Sequence, residues 1–169
     1  MRDTGFFVKR KSLSRIAEPF KEKEPNLIDI TKKPIFFKGG HGLVSTVSDY
    51  LNFCYMLLNN GKFEDQQILS KKTVEYMTAN HLHNEIRRST STIPGDGYGF
   101  GLGFAVREQD GVSAWPGSRG DFYWLGYGGT YFWIDPKEEL IAISMTQSVT
   151  KRDKINRLMR SLVYQSIIE

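Results

Sequence analysis

The stretch that decides the fold is DFYWLGYGGTYFWIDPKEELIAISMTQ, residues 121–147. Two segments rich in aromatic residues flank a run of glycines, which is typical of two β-strands joined by a tight turn. Asp135-Pro136 begins a second turn, because proline favours the second position of a β-turn. An apolar segment follows, so the stretch predicts an antiparallel meander with strands at about 121–127, 129–135 and 139–147.

Glycines also mark the upstream segment GYGFGLGF, residues 97–104, where they alternate with apolar residues. Side chains of a strand alternate between the two faces of a sheet, so one face of this segment would be bare backbone and the other apolar. We therefore predict a strand at about 98–107. A bulky element, either aromatic side chains or another part of the chain, should lie across its bare face.

Three segments predict helices. Thr46 is an expected N-cap, and apolar residues at helical spacing lead to Asn59-Asn60-Gly61 as a C-terminal stop, which predicts a helix over 46–60. Ser70 is the expected N-cap of a second helix over 71–80, and residues 83–97 read as a loop. A third helix over 151–168 carries an apolar stripe that should pack on the sheet, formed by Ile155, Leu158, Met159, Leu162, Val163 and Ile167. The predicted fold class is α+β, of the α/β sandwich type, with an antiparallel sheet flanked by helices.

The N-terminal part of the chain differs in composition. Residues 1–40 contain ten Lys and Arg against five Asp and Glu, so this part holds about +5 of charge while the rest is near −1. A nucleic acid or a membrane is a conceivable partner, but Glu18, Glu22 and Glu24 interrupt the basic field. We predict that residues 1–38 form a basic, extended connecting segment ahead of a domain over 39–169.

Cysteine and histidine usage limits the chemistry. The single cysteine, Cys54, excludes an internal disulfide and a cysteine-built metal site, and its apolar helical surroundings predict a core residue. His81 and His83 have no acidic residue or cysteine at a spacing that completes a metal shell, and His41 reads as a turn residue. No metal and no cofactor is predicted. No apolar run is long enough to span a bilayer, and the start of the chain does not read as a signal peptide.

Several segments together resemble a known family. They are DTGF (3–6), GGHGLVSTVSDYLNF (39–53), LLNNGKFEDQQILSKKTVEYM (57–77), GYGFGLGF (97–104) and GGTYFWIDPKEELIAISMTQ (128–147). In this order they resemble the C-terminal half of the serine β-lactamase-related family, which includes class C β-lactamases, low-molecular-weight penicillin-binding proteins and esterases. The resemblance implies a β-lactamase/transpeptidase-like fold, chemistry through an acyl-enzyme, and a periplasmic or extracytoplasmic location.

The resemblance also implies where a site would lie. Such enzymes use Ser-x-x-Lys, a Tyr-x-Asn or Ser-x-Asn loop, and a Lys-Thr-Gly-like triplet on a strand. The triplet corresponds to Trp124-Leu125-Gly126, which is similar to the Trp-Gly-Gly of esterase-like members except at Leu125. Without the lysine, recognition of β-lactams or D-alanyl peptides is in doubt. The resemblance makes the Tyr127 backbone N–H a candidate oxyanion donor, and Trp124, Leu125, Gly126 and Tyr127 candidate substrate-binding residues.

The first two motifs are expected upstream of Met1, so no catalytic side chain is predicted in this chain. Ser148-Val149-Thr150-Lys151 matches the first motif formally, but the neighbouring charges predict a solvated lysine. Tyr50-Leu51-Asn52 matches the second formally, although Leu51 belongs to the buried stripe of a predicted helix.

Three hypotheses follow. The chain is the C-terminal part of a serine hydrolase for a small-molecule or peptide ester or amide, inactive alone. Alternatively, it is a non-catalytic ligand-binding module of the same fold. RNA binding ranks last, because GYGF matches the centre of an RNP1 pattern but Asp96, Gly101 and Gly103 depart from it, so no nucleic acid is expected. An incomplete sheet would also expose an edge through which the chain could self-associate.

Overall fold

The computed structural model describes residues 1–19, 25, 27–82 and 94–168. Its centre is a five-stranded antiparallel sheet of strands β3 to β7 in sequential order. Two short strands, β1 and β2, form a separate hairpin between the first two helices. The strands are β1 (Lys62–Phe63), β2 (Gln66–Gln67), β3 (Tyr98–Phe100), β4 (Ala105–Arg107), β5 (Phe122–Leu125), β6 (Thr130–Asp135) and β7 (Leu140–Met145).

The helices are α1 (Val47–Leu58), α2 (Lys71–Met77) and α3 (Arg152–Gln165). They lie on both faces of the sheet: α1 and α2 share one apolar cluster with strands β4 to β6, and α3 packs on the opposite cluster. The α+β fold class with a flanked antiparallel meander is therefore confirmed. No helix in the described part of the chain is long and apolar enough to cross a bilayer.

The segment predicted as one strand over 98–107 is instead a hairpin, β3 and β4. The chain reverses after Phe100, and the Gly101 N–H donates to the Phe104 carbonyl at 2.8 Å. Gly103 has φ of +92°, a conformation that other residues rarely adopt. Alternating glycines are compatible with a strand and with a tight turn, and here they serve both.

The bare glycine face is covered, as predicted. A Cβ atom at Gly99 would collide with the Asn80 side chain, and one at Gly101 would collide with the Met77 carbonyl. The covering element is the segment that leaves α2. It also bonds to the outer edge of β3, because the His81 N–H donates to the Phe100 carbonyl at 2.8 Å and the Phe100 N–H donates to Asn80 Oδ1 at 3.1 Å. This edge of the sheet is therefore not open.

Helix α3 presents a different face to the sheet from the one its apolar stripe predicted. Asn156 and Arg160 are 1% and 0% exposed, whereas Leu158 and Leu162 are 56% and 55% exposed. Met159 and Val163 pack on the sheet as expected. The sheet surface beneath α3 is rich in tyrosine and tryptophan, and the Arg160 guanidinium lies 5.3 Å from the Trp133 ring centroid, so a cation is accommodated there.

The N-terminal segment, predicted as an extended connection, includes a 3-10 helix at Arg10–Arg15 and contacts the start of α1. Gly5 forms an isolated antiparallel bridge with Val44. The Thr4 hydroxyl donates to Asp49 Oδ2 at 2.9 Å, and the Asp49 N–H donates to the Thr46 side chain that caps α1. The chain start and the entrance to α1 are thus tied together.

Candidate active site

The candidate oxyanion donor lies in the turn that joins β5 to β6. The Gly126 N–H donates to the Thr130 carbonyl at 2.8 Å, and the Gly129 N–H donates to the Gly126 carbonyl at 3.0 Å. Gly129 has φ of +109°. These features define a three-residue hairpin loop, a type I turn followed by a glycine bulge. Tyr127 and Gly128 occupy its tip.

The turn fixes the direction of the Tyr127 N–H. In a trans peptide unit the carbonyl and the N–H point in opposite directions. The Gly126 carbonyl faces into the turn, where it accepts from Gly129, so the N–H of the same peptide unit, which belongs to Tyr127, points away from the hairpin. An oxyanion donor must point its N–H at the position of the substrate oxygen, and the outward direction keeps the Tyr127 N–H a candidate for that role.

The back of the turn is packed against the segment that follows β7. The Ser148 N–H donates to the Gly128 carbonyl at 2.7 Å, and the Thr146 hydroxyl donates to the Gly129 carbonyl at 2.9 Å. A Cβ at Gly126 would collide with Thr130 Oγ1, so a larger residue there would require the Thr130 hydroxyl to move. These contacts hold the turn in one position, which favours preorganisation of the outward N–H.

Arg152, the first residue of α3, contacts Tyr127 at the tip of the turn. Its Nη1 donates to the Tyr127 carbonyl at 2.8 Å, and its guanidinium lies 5.3 Å from the Tyr127 ring centroid. The Tyr127 side chain is nevertheless 62% exposed. Arg152 does not stand out in the sequence, because nothing in its local pattern indicates a partner 25 residues away.

The other two predicted substrate-binding residues point to opposite faces of the sheet. Trp124 is half-buried, and its ring meets Phe100 edge-on at a centroid distance of 5.0 Å. Leu125, the next residue in β5, packs with the cluster beneath α3, and Trp124 contacts the clusters on both faces. Because neighbouring strand residues alternate, the two side chains leave β5 in opposite directions. Of the four candidate substrate-binding residues, only Gly126 and Tyr127 therefore lie at the turn itself.

Neither internal match to a catalytic motif lies in a catalytic setting. Lys151 is exposed and sits at the N-cap of α3, whereas a lysine that activates a nucleophile needs to be desolvated. Tyr50 lies within α1, and its ring packs against Phe53 and Phe132 at 5.5 and 5.1 Å. Burial raises the pKa of the Tyr50 hydroxyl above its usual value near 10.

The remaining candidates behave as structural residues. His81 is exposed and bonds through Nε2 to the Tyr76 carbonyl at 2.7 Å, and His41 is exposed. His83, with most of the predicted loop over 83–97, lies outside the described residues. Within the described ranges there is no group of three or more His, Cys, Asp or Glu that could hold a metal. Trp133 is fully buried, and Trp115 stacks on Tyr123 at 6.1 Å.

Tyr98, one of the two aromatic residues of the RNP1-like segment, is also buried. Tyr98 is 2% exposed, and its hydroxyl donates to Asp121 Oδ1 at 2.9 Å. An RNP1 aromatic must be exposed to stack on a base. Tyr98 therefore packs inside the fold and is not exposed for stacking on a base.

A buried ionic cluster, which the sequence analysis missed, lies between the sheet and α3. Asp121 Oδ2 accepts from Arg107 Nε at 2.6 Å and from Arg160 Nη2 at 2.7 Å. Arg160 Nη1 also donates to the Tyr131 hydroxyl at 2.9 Å. Two guanidinium groups face one carboxylate, and the extra donors are satisfied by main-chain carbonyls, namely those of Trp115 and Pro116. The cluster attaches α3, and hence Arg152, to the strand that leads to the turn.

The described residues form three layers, with helices on both faces of an antiparallel meander. A family model described as Beta-lactamase matches residues 1–164. The chain belongs to this family.

Individual proteins give a more detailed comparison. Protein Rv1367c of Mycobacterium tuberculosis is 34% identical over 159 residues, which cover 87% of this chain and 40% of that protein. The solved structure of EstCE1, described as a hydrolase with promiscuous acyltransferase activity, is similar with a TM-score of 0.68 and 26% identity, and covers 80% of this chain and 34% of its own.

Unliganded simvastatin synthase LovD from Aspergillus terreus shares the fold, with a TM-score of 0.61 and 20% identity over 78% of this chain and 36% of its own. The chain thus spans about 40% of the curated relative and about a third of these solved chains.

Proposed function

We propose that this chain forms the C-terminal, oxyanion-stabilising part of a serine hydrolase that cleaves an ester or amide through an acyl-enzyme. The observation that carries the proposal is the outward Tyr127 N–H on a turn fixed by Gly126, Gly129 and Arg152. The similarity to EstCE1, a hydrolase with acyltransferase activity at 26% identity, supports the same reaction class.

In the proposed reaction a serine hydroxyl attacks the carbonyl carbon of the substrate, and a lysine takes the hydroxyl proton. The carbonyl oxygen becomes an oxyanion that accepts from the Tyr127 N–H and a second donor. The tetrahedral intermediate then expels the alcohol or amine, which receives the proton, and an acyl-serine remains. Water, or another alcohol, takes the acyl group in the second half. The serine and lysine come from a Ser-x-x-Lys outside these 169 residues.

The triplet before the turn favours an uncharged substrate. Trp124 stands where penicillin-recognising relatives would have a lysine, and its indole is half-buried against Phe100. The Trp124-Leu125-Gly126 triplet contains no cationic residue that could pair with a substrate carboxylate. Arg152, the cation that contacts the turn, is committed to the Tyr127 carbonyl and ring. An ester or amide without a carboxylate fits this site better than a β-lactam.

A non-catalytic ligand-binding module of the same fold is the second candidate. It is favoured by the exposed Lys151 and by the half-buried Tyr50 ring packed on Phe132, since neither internal motif match offers catalysis. The two proposals differ in one respect: only the hydrolase forms a covalent bond with a reagent that reacts with an activated serine.

The test is covalent labelling of the complete polypeptide encoded by the native gene, with a fluorophosphonate probe and mass spectrometry. We expect one labelled serine within a Ser-x-x-Lys and no label on the 169-residue chain expressed alone. A complete polypeptide without label, but with saturable binding of esters, would establish the binding module instead. A label on Ser148 would overturn the placement of the nucleophile outside this chain.

A further inference from the structure

Positive charge is concentrated at the start of α3. The four consecutive residues 151–154 are three cations and one carboxylate, so their net charge is +2. The first turn of an α-helix adds to this field, because its N–H groups have no partner within the helix and give that end a partial positive charge. The end of α3 that lies nearest the β5–β6 turn is therefore its positive end.

Arg152 brings this charge to the candidate oxyanion turn. Its Nη1 donates to the Tyr127 carbonyl at 2.8 Å, and its guanidinium lies over the Tyr127 ring. The nearest carboxylate is that of Asp153, whose Oδ1 lies 3.7 Å from Arg152 Nε. The Arg152 side chain is 26% exposed and that of Asp153 is 75% exposed. Because water screens the exposed carboxylate more than the guanidinium, Asp153 cancels only part of the positive field at the turn.

Bond lengths limit the distance between the guanidinium and an oxyanion at the Tyr127 N–H. The backbone N and O atoms of one residue are at most about 3.6 Å apart. An oxyanion would accept from the Tyr127 N–H at about 2.9 Å. Together with the 2.8 Å between Arg152 Nη1 and the Tyr127 carbonyl oxygen, these lengths place the guanidinium within about 9 Å of the oxyanion. The hydrogen bond of Arg152 is to the carbonyl, so its effect on the oxyanion is that of a charge acting across space.

We propose that the charge of Arg152 accelerates the reaction by stabilising the oxyanion that forms at the Tyr127 N–H. This inference rests on the proposed function, because it requires a substrate carbonyl at that N–H. The substrate proposed above is uncharged, so the guanidinium interacts weakly with the bound ester and strongly with the transition state, in which the carbonyl oxygen becomes negative. An interaction made only in the transition state raises kcat and leaves KM unchanged. A unit charge about 9 Å away at a partly exposed site changes a rate roughly fivefold at low salt.

A purely mechanical role of Arg152 has a different signature. The Tyr127 carbonyl accepts one hydrogen bond from Nη1, and an uncharged donor of suitable length at position 152 could hold the turn in the same way. A mechanical role therefore does not depend on charge, nor on the salt concentration. The range of a charge does depend on salt, because the screening length falls from about 30 Å at about 0.01 M to about 3 Å at about 1 M. Kinetics at these low and high salt concentrations separate the two roles.

The test is steady-state hydrolysis of p-nitrophenyl acetate, an uncharged ester, by the complete polypeptide at both salt concentrations. Arg152→Lys keeps the charge, whereas Arg152→Gln keeps an N–H donor and removes the charge. At low salt we expect Arg152→Gln to lower kcat roughly fivefold with KM unchanged, and Arg152→Lys to stay within about twofold of the wild type. At high salt the kcat of Arg152→Gln should lie within about twofold of the wild-type value, because the charge is screened.

The matched control is Lys137→Gln, which removes the same charge at an exposed position in the turn between β6 and β7. That turn lies at the opposite end of β6, a strand of six residues or about 20 Å, so kcat should not change at either salt concentration. An equal loss of kcat in Arg152→Lys and Arg152→Gln, or a loss in Arg152→Gln that persists at high salt, would overturn the proposal. Fluorophosphonate labelling separates this inference from the proposed function. Label together with equal kcat in Arg152→Gln and the wild type refutes the role of Arg152 alone, whereas a wild type without label or turnover refutes both.

Discussion

Arg152 Nη1 donates to the carbonyl of Tyr127 at 2.8 Å, and the same guanidinium lies 5.3 Å from the Tyr127 ring centroid. A cation in the first turn of a helix is slightly unfavourable, because the helix dipole is positive there. The two contacts with Tyr127 offset that cost. They join the start of α3 to the tip of the β5–β6 hairpin.

Replacing Arg152 by methionine should loosen the turn and leave α3 folded. A hydrogen bond from a charged group at a partly exposed site contributes about 1 kcal/mol, so the Gly129 N–H should exchange with solvent roughly fivefold faster. Amide hydrogen exchange by NMR measures this directly. Lys154→Met, which removes an exposed cation two residues further along α3, is the control. Unchanged exchange at Gly129 in Arg152→Met would show that Arg152 does not stabilise the turn.

Tyr127→Pro in the complete polypeptide of the proposed hydrolase is the direct test of the oxyanion donor. Proline has no N–H, and the hairpin bonds use the N–H groups of Gly126 and Gly129, so the turn should persist. Proline also suits the first central position of a type I turn. Loss of one oxyanion donor lowers kcat by about 10² to 10³ in enzymes of this kind. Tyr127→Ala keeps the N–H and should retain most of kcat; equal losses in both variants would assign the effect to the side chain.

The buried cluster predicts a large stability effect of Asp121→Asn. The variant keeps the shape of the side chain but leaves the guanidinium groups of Arg107 and Arg160 without a buried carboxylate. Breaking a buried ion pair on one side costs about 3–5 kcal/mol. Urea unfolding should show this loss, and Asp110→Asn, at an exposed loop position, should be neutral. A change below about 1 kcal/mol would mean that Asp121 does not balance the two cations.

Local patterns predicted the parts of the fold that local chemistry controls. The Thr46 cap, the two central turns and the cover over Gly99 follow from residue types at fixed spacing. The face of α3 did not follow, because the apolar stripe through Leu158 and Leu162 is displaced by the pairing of Arg160 with Asp121, 39 residues away. In the site, the Trp124-Leu125-Gly126 triplet indicated where the turn lies. The direction of the Tyr127 N–H and the contact of Arg152 with Tyr127 depend on tertiary structure, so local sequence could not predict them.

The outer edge of β7 leads us to expect self-association of the chain. The segment after α2 covers β3, but β7 pairs with β6 and no described strand pairs with its other edge. The N–H and carbonyl groups that an unpaired strand edge presents can pair with the same strand of a second copy. We expect the apparent mass in light scattering to rise with protein concentration across a dilution series. A constant mass equal to that of one 19.4 kDa chain at all concentrations would contradict this expectation.

Alkaline pH should destabilise the protein through Cys54. This residue is 0% exposed, and burial raises the pKa of its thiol from about 9 to about 12. Below pH 9 both folded and unfolded states are protonated, so the full stability is present. Above pH 9 the unfolded thiol loses its proton while the folded thiol does not, so the unfolding free energy falls by roughly 1.4 kcal/mol per pH unit until the folded pKa is reached.

Buried tyrosines should steepen the decline above pH 10, because burial also raises the pKa of Tyr98 and Tyr123. Urea unfolding at pH 7.5, 9 and 10 measures the slope. Cys54→Ala should be less stable at neutral pH, since it leaves a small cavity, yet it should show a flatter decline between pH 9 and 10. If the wild-type chain and Cys54→Ala lose stability in parallel over that interval, the thiol is not the group that titrates.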